Sequence, residues 1–253
     1  MLFYGDSYVA GHAAPDCWLP ALLERELEGT DVLHLGVGGY GPDQMHLLAR
    51  ETLHRVDRPE VVLMGVMTHS FDRVAQRVRS YQKPVLVPRA DGTLAVDNAP
   101  IDPRTERFFA RTRTSFRSYL QAAQRLREHP PERDDYGFAT KAALNRAIVR
   151  ANRELAAAHG ATLVYALFHD HADLFGPTTR REFFLEALVA EGVPVFDSAA
   201  VLLPYGQRHG TDISELYTGG HHNDAGNGVL ASALARRLAE LGVARVARRE
   251  VSA

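Results

Sequence analysis

At 253 residues, 45% hydrophobic and 24% charged, the chain has the bulk of one globular domain, or of one domain with an insertion. Its formal charge of -2, with no basic block, argues against a nucleic-acid partner, and no apolar stretch approaches the roughly 20 residues that cross a bilayer. The single cysteine, Cys17, excludes an internal disulfide, and with no apolar leader ahead of Gly5 the expectation is a cytoplasmic protein.

Leu2 to Tyr4 reads as a first strand running into Gly5-Asp6-Ser7, and Trp18 to Leu27 as a helix with Leu19, Leu22, Leu23 and Leu27 on one face. Val32 to Leu35 is a second strand, closed by the loop Gly36-Val37-Gly38-Gly39-Tyr40-Gly41. Pro42 then stands where prolines open helices, and Asp43 to Leu53 follows. Val61 to Val66 is a continuous apolar run, as expected of a strand buried on both faces.

Between about residues 73 and 139 the rhythm changes. Pro84 to Pro88 and Thr93 to Val96 flank Asp91-Gly92, a hairpin signal, and a charged helix is expected over Thr105 to Glu128. The expectation is one domain over residues 1–253, with this segment inserted as a cap over the sheet edge. Leu163 to Phe168 and Val193 to Phe196 are further buried strands, with a helix near Arg180 to Ala190 between them. Gly226 to Leu241 is the last helix. Strands alternating with helices predict a three-layer α/β/α sandwich on a parallel sheet.

A serine set where a strand breaks into a loop exposes its hydroxyl at the carboxyl edge of such a sheet, where open α/β sheets build their sites. Serine is a weak nucleophile until a base takes its proton, and His221, just before the last helix, is a base that can return to it. Asp6 is expected to fix the turn through local amides.

Gly5-Asp6-Ser7, then His34-Leu35-Gly36-Val37-Gly38-Gly39, then His221-His222-Asn223-Asp224-Ala225-Gly226 resemble, in that order, the motif blocks of the SGNH hydrolase superfamily, or GDSL esterases. The resemblance covers residues 1–70 and 160–240. It implies a flavodoxin-like sheet, a Ser7 nucleophile, a His221 base and an oxyanion hole made by the Ser7 and Gly39 amides. It implies no cofactor, and an acyl ester of a small molecule or glycan as substrate. Asp6, Tyr40, His169 and His222 are the residues expected near the substrate pocket; the sequence leaves the oligomeric state open.

Two positions depart from that pattern. The third block, where an asparagine belongs after Val61 to Val66, reads Met67-Thr68-His69-Ser70-Phe71-Asp72, so His69 becomes the candidate third oxyanion donor. At the acid position before His221 stand Thr218 and Gly219, neither a carboxylate. Losing an oxyanion donor typically costs about a hundred- to a thousandfold, and losing the triad aspartate on the order of ten thousandfold. A backbone carbonyl, Asp212, Glu215 or Asp224 are the groups available to hold His221.

Competing readings are weaker. Gly36 to Gly41 contains Gly-x-Gly-x-x-Gly, but the acid about twenty residues on, Glu60, opens the next strand instead of ending it, so no dinucleotide is expected. His169-Asp170-His171-Ala172-Asp173 carries metal-ligand types without a supporting Cys or His-x-x-x-His helix, so no metal is expected. The expected reaction is ester hydrolysis, with O-acyl transfer to an alcohol, or binding without turnover, as alternatives.

Overall fold

The computed structural model describes residues 1–11, 14–77, 82–100 and 136–247. Strands β1 (Leu2–Gly5), β2 (Leu33–Gly36), β3 (Val61–Met67), β6 (Thr162–Phe168) and β7 (Val195–Asp197) form a five-stranded parallel sheet in the order β2-β1-β3-β6-β7. Side chains alternate across it as a pleated strand requires. Phe3, Leu63, Val164, Ala166 and Phe168 face one core, and Leu2, Tyr4, Val62, Met64, Tyr165 and Leu167 face the other.

Helices α2 (Leu19–Glu26), α7 (Ser198–His209) and α8 (Asp224–Glu240) cover the first face. Helices α3 (Pro42–Thr52), α4 (Phe138–Ala158) and α6 (Thr179–Ala190) cover the second. The fold is thus the expected three-layer α/β/α sandwich, and the strand order reverses between β1 and β3. Ligands of open α/β sheets bind outside the strand carboxyl ends at such a reversal.

A row of glycines places the first helix there. Gly5 is in register with Gly36 on one side and Gly65 on the other. A Cβ added at Gly5 or Gly65 would come within 2.2 or 2.4 Å of Val9 Cγ2, and one at Gly36 within 2.4 Å of the Ala10 nitrogen. The short helix α1 (Ser7–Ala10) therefore lies directly on the sheet surface, which only side-chain-free strand positions allow.

The Asp91-Gly92 signal is borne out by the antiparallel hairpin β4 (Val85–Pro88) and β5 (Leu94–Asp97). It packs on the α3–α4 layer through Leu86 against Val74 and Ile148, and the buried Lys83 beside it pairs with Asp43 at the start of α3. The helix expected over Thr105 to Glu128 lies outside the described residues. The remaining predicted elements are found with shifts of one or two residues, whereas α4 and α7 have no counterpart in the sequence reading. Among the described residues, no helix is long and apolar enough to cross a membrane.

Candidate active site

Ser7 is the first residue of α1, and Asp6 caps it by accepting the Tyr8 amide at 3.0 Å. The Asp6 carboxylate also accepts from the Met67 amide at 3.2 Å, the Ser70 hydroxyl at 2.7 Å and Arg73 Nη1 at 3.4 Å. Every one of these contacts is buried, and Asp6 has no exposed surface. Asp6 thus fixes the turn as expected, and its oxygens tie that turn to the end of β3 and to the segment after it.

The far end of the chain reaches the same edge. Tyr217–Thr218 (β8) and His221–His222 (β9) form a two-residue hairpin closed by Gly219 and Gly220, with φ of 58° and 81°. Positive φ at both central positions is the type I′ pattern, which glycine adopts without steric cost. His221 Nε2 lies 2.8 Å from Ser7 Oγ, and Nδ1 lies 3.2 Å from the Gly219 carbonyl oxygen. A carbonyl only accepts, so Nδ1 carries the proton and the neutral ring offers its Nε2 lone pair to the serine hydroxyl.

Of the alternatives open for holding His221, the backbone carbonyl is the one found among the described residues. Asp212 instead accepts the Ser214 amide at 2.9 Å. Asp224 opens α8 beside Cys17, and Asn223 caps that helix by accepting the Gly226 amide at 3.0 Å.

Tyr8 was not singled out by the sequence. Its hydroxyl donates to the Gly220 carbonyl at 2.6 Å, and its ring centroid lies 5.0 Å from that of His221 and 4.8 Å from that of His222. Burial, with the nearby Tyr217, Asp170, Asp6 and Asp173, raises the Tyr8 pKa far above its ordinary value, so it stays a donor.

Gly39 has φ of 87° in the loop after β2, which is held by the Val37 amide donating to the Gly5 carbonyl at 2.9 Å. The carbonyl of the half-buried Tyr40 accepts from Arg73 Nη1 at 2.8 Å.

His69 follows β3 as the third-donor position requires, but its ring is engaged elsewhere. Nε2 lies 2.8 Å from Asp173 Oδ1, and Nδ1 3.5 Å from Asp170 Oδ2. Both ring nitrogens of His69 thus stand beside carboxylates of the segment after β6. Donor atoms of His69, Asp170 and Asp173 lie within 4.8 Å of one another. A metal ion requires one ring nitrogen and both oxygens aimed at one point. Here the two nitrogens face separate carboxylates.

His169 and His222, expected near the pocket, are both buried. His169 is buried, its Nε2 2.8 Å from Asp197 Oδ1. Burial alone would raise the Asp197 carboxyl, but His169 and Arg181 hold it below its usual range. His222 is buried against Tyr8, Phe168 and Tyr217, and neither ring nitrogen has a partner. Burial first, then the neighbouring His169 and His221, hold its pKa down at about 3.

The fold is that of the G-D-S-L esterases. A member of the lipolytic G-D-S-L family from Veillonella parvula superposes with a TM-score of 0.52 at 14% identity, covering 95% of this chain and 96% of that one. A two-domain esterase active on acetylated mannans superposes with a TM-score of 0.51 at 10% identity, over 99% of this chain and 52% of that one. No family model matches the sequence, and no curated protein matches it.

Proposed function

We propose that the protein is a serine-dependent acyl-ester hydrolase. The observation that carries this reading is the 2.8 Å contact between His221 Nε2 and Ser7 Oγ, made by residues 214 positions apart at the strand-order reversal. Ser7 Oγ attacks the ester carbonyl carbon while its proton passes to Nε2. The carbonyl oxygen becomes an oxyanion facing the Ser7 and Gly39 amides. Collapse breaks the bond to the leaving alkoxide, which takes the proton from Nε2 and departs, leaving acyl-Ser7. Water then attacks the acyl carbon, giving a proton to Nε2. A second collapse frees the carboxylic acid and returns the proton to Ser7.

The imidazolium formed in each half-reaction is steadied by a carbonyl dipole instead of a carboxylate charge, so a slow hydrolase is expected. A substrate carrying O-acetyl groups on a small molecule or glycan fits this chemistry and accords with the esterase neighbour that acts on acetylated mannans.

The neutral partner behind His221 and the commitment of His69 to two carboxylates favour, as a second reading, a protein that keeps the fold for binding alone. An alcohol in place of the water would make it an O-acyltransferase. Fluorophosphonate labelling with p-nitrophenyl acetate turnover tests the proposal. Modification at Ser7, lost in Ser7→Ala and weakened in His221→Ala, is expected; a folded protein with neither labelling nor turnover sinks the hydrolase. Faster turnover with added alcohol, giving a new ester, identifies the transferase.

A further inference from the structure

Resting on that reading, we infer that Tyr8 is a positioning residue which, through the Gly219-Gly220 turn, does the orienting work that a carboxylate behind His221 would otherwise do. The β8–β9 hairpin has only two residue pairs, Tyr217 with His222 and Thr218 with His221. A ribbon that short has little stability of its own. Its two turn residues are glycines, which lose the most conformational freedom on ordering. Yet the Gly219 carbonyl is the acceptor found behind His221, so the ring is only as well placed as the turn.

The next carbonyl along, that of Gly220, is where the Tyr8 hydroxyl lands at 2.6 Å. Tyr8 adjoins Ser7 on α1, and α1 is pressed on the sheet by the glycine row. The side chain therefore ties the base-bearing turn to the element that carries the serine. Its ring also lies along the His221 ring, with centroids 5.0 Å apart and planes at 38°. On the other side Tyr8 stacks on Phe168 of β6 at 5.9 Å and 9°, so the tether is itself wedged against the core. One carbonyl of the turn thus fixes the histidine tautomer, and its neighbour fixes the turn.

Tyr8→Phe removes the hydroxyl and keeps the ring. With p-nitrophenyl acetate it should lower kcat by about ten- to a hundredfold, as small misplacements of reacting groups do, while KM moves by less than about twofold. The same substitution in a His221→Ala background should have almost no further effect, because groups acting as one unit are not additive. A loss of equal size in both backgrounds would mean that Tyr8 serves Ser7 or general packing, and would overturn the inference.

A readout independent of turnover keeps the two readings apart. Long-range proton–nitrogen correlation spectra of the wild type should show His221 as one tautomer with the proton on Nδ1, and Tyr8→Phe should show a mixture. An unchanged single tautomer in a folded Tyr8→Phe overturns the tether even if the wild type hydrolyses esters. Tautomer mixing in a protein without turnover supports the tether and removes only the hydrolase.

Discussion

Arg73 Nη1 stands 2.8 Å from the Tyr40 carbonyl oxygen and 3.4 Å from Asp6 Oδ2, so one buried guanidinium joins the turn of Ser7 to the loop of Gly39. The two amides expected to meet the oxyanion come from these two segments. Their spacing is therefore set in part by a residue that touches no substrate.

Both contacts are made by one nitrogen, Nη1, and the shorter lysine side chain keeps the positive charge near Asp6 but holds its ammonium short of that point. Arg73→Lys is expected to lower kcat on p-nitrophenyl acetate by about tenfold or more, short of the hundred- to thousandfold typical of deleting a donor. Arg73→Ala leaves the Asp6 charge buried with neutral donors alone and should cost about 3–5 kcal/mol in urea unfolding. Wild-type kcat in Arg73→Lys would show that the oxyanion loop holds its place without the bridge.

Among the described residues a carbonyl, not a carboxylate, stands behind His221, and a carboxylate can be supplied. Thr218 is the register partner of His221 across the hairpin and is exposed, so a side chain at 218 stands within reach of the ring. Thr218→Asp is expected to raise kcat by about tenfold, a fraction of what a triad aspartate is worth. The site at 219 suits the change less, because its φ of 58° is strained for most side chains. A fall in kcat, with the fold intact by circular dichroism, would show that the carbonyl already holds the ring in its working position.

The sheet and the Ser7–His221 pairing were legible because both rest on local signals. Val61 to Met67 is fully buried and reads as an apolar run, and Gly5-Asp6-Ser7 is a turn whatever surrounds it. Tyr8 and Arg73 were not legible, since a hydrogen bond to a carbonyl 212 residues away leaves no mark on local composition. The surroundings of the histidines were hidden for the same reason. His169 and His222 look polar and loop-like in sequence, yet the sheet edge buries both, and their partners come from β6, β7 and α1. The helix over Phe138–Ala158 escaped notice because its alanine-rich stretch shows only a thin apolar stripe.

The glycine row makes a prediction about stability that does not depend on chemistry. A Cβ at Gly65 would meet Val9 Cγ2 at 2.4 Å and the rings of Phe3 and Phe168 at 2.9 Å. Gly65→Ala should destabilise the protein by about 1–3 kcal/mol, as overpacking of a filled core does. It should also lift α1 and slow Ser7 labelling. Adding Val9→Ala removes the nearest obstructing methyl and should return part of both losses. No recovery in the double variant would place the strain on the two phenylalanines instead.

His222 makes the last prediction, on pH. Its folded pKa of about 3 lies below the roughly 6.5 of an unfolded histidine, so between these values only the unfolded chain takes up the proton. Its neutral burial therefore contributes stability that is fully present above about pH 6.5 and is lost as pH falls toward 3. Between pH 6.5 and 5.0 the loss from this residue should be about 2 kcal/mol, at 1.36 kcal/mol for each unit. His46 and His34, whose pKa values burial also lowers, act in the same direction. Since neither nitrogen of His222 has a partner, His222→Leu gives up no hydrogen bond and keeps an apolar filler against Tyr8 and Phe168. Urea unfolding at pH 7.5 and 5.0 should show a smaller loss in the variant than in the wild type by about that 2 kcal/mol. Equal losses in the two proteins would mean that His222 is protonated in the folded state, and that the pocket behind the Tyr8 ring admits charge.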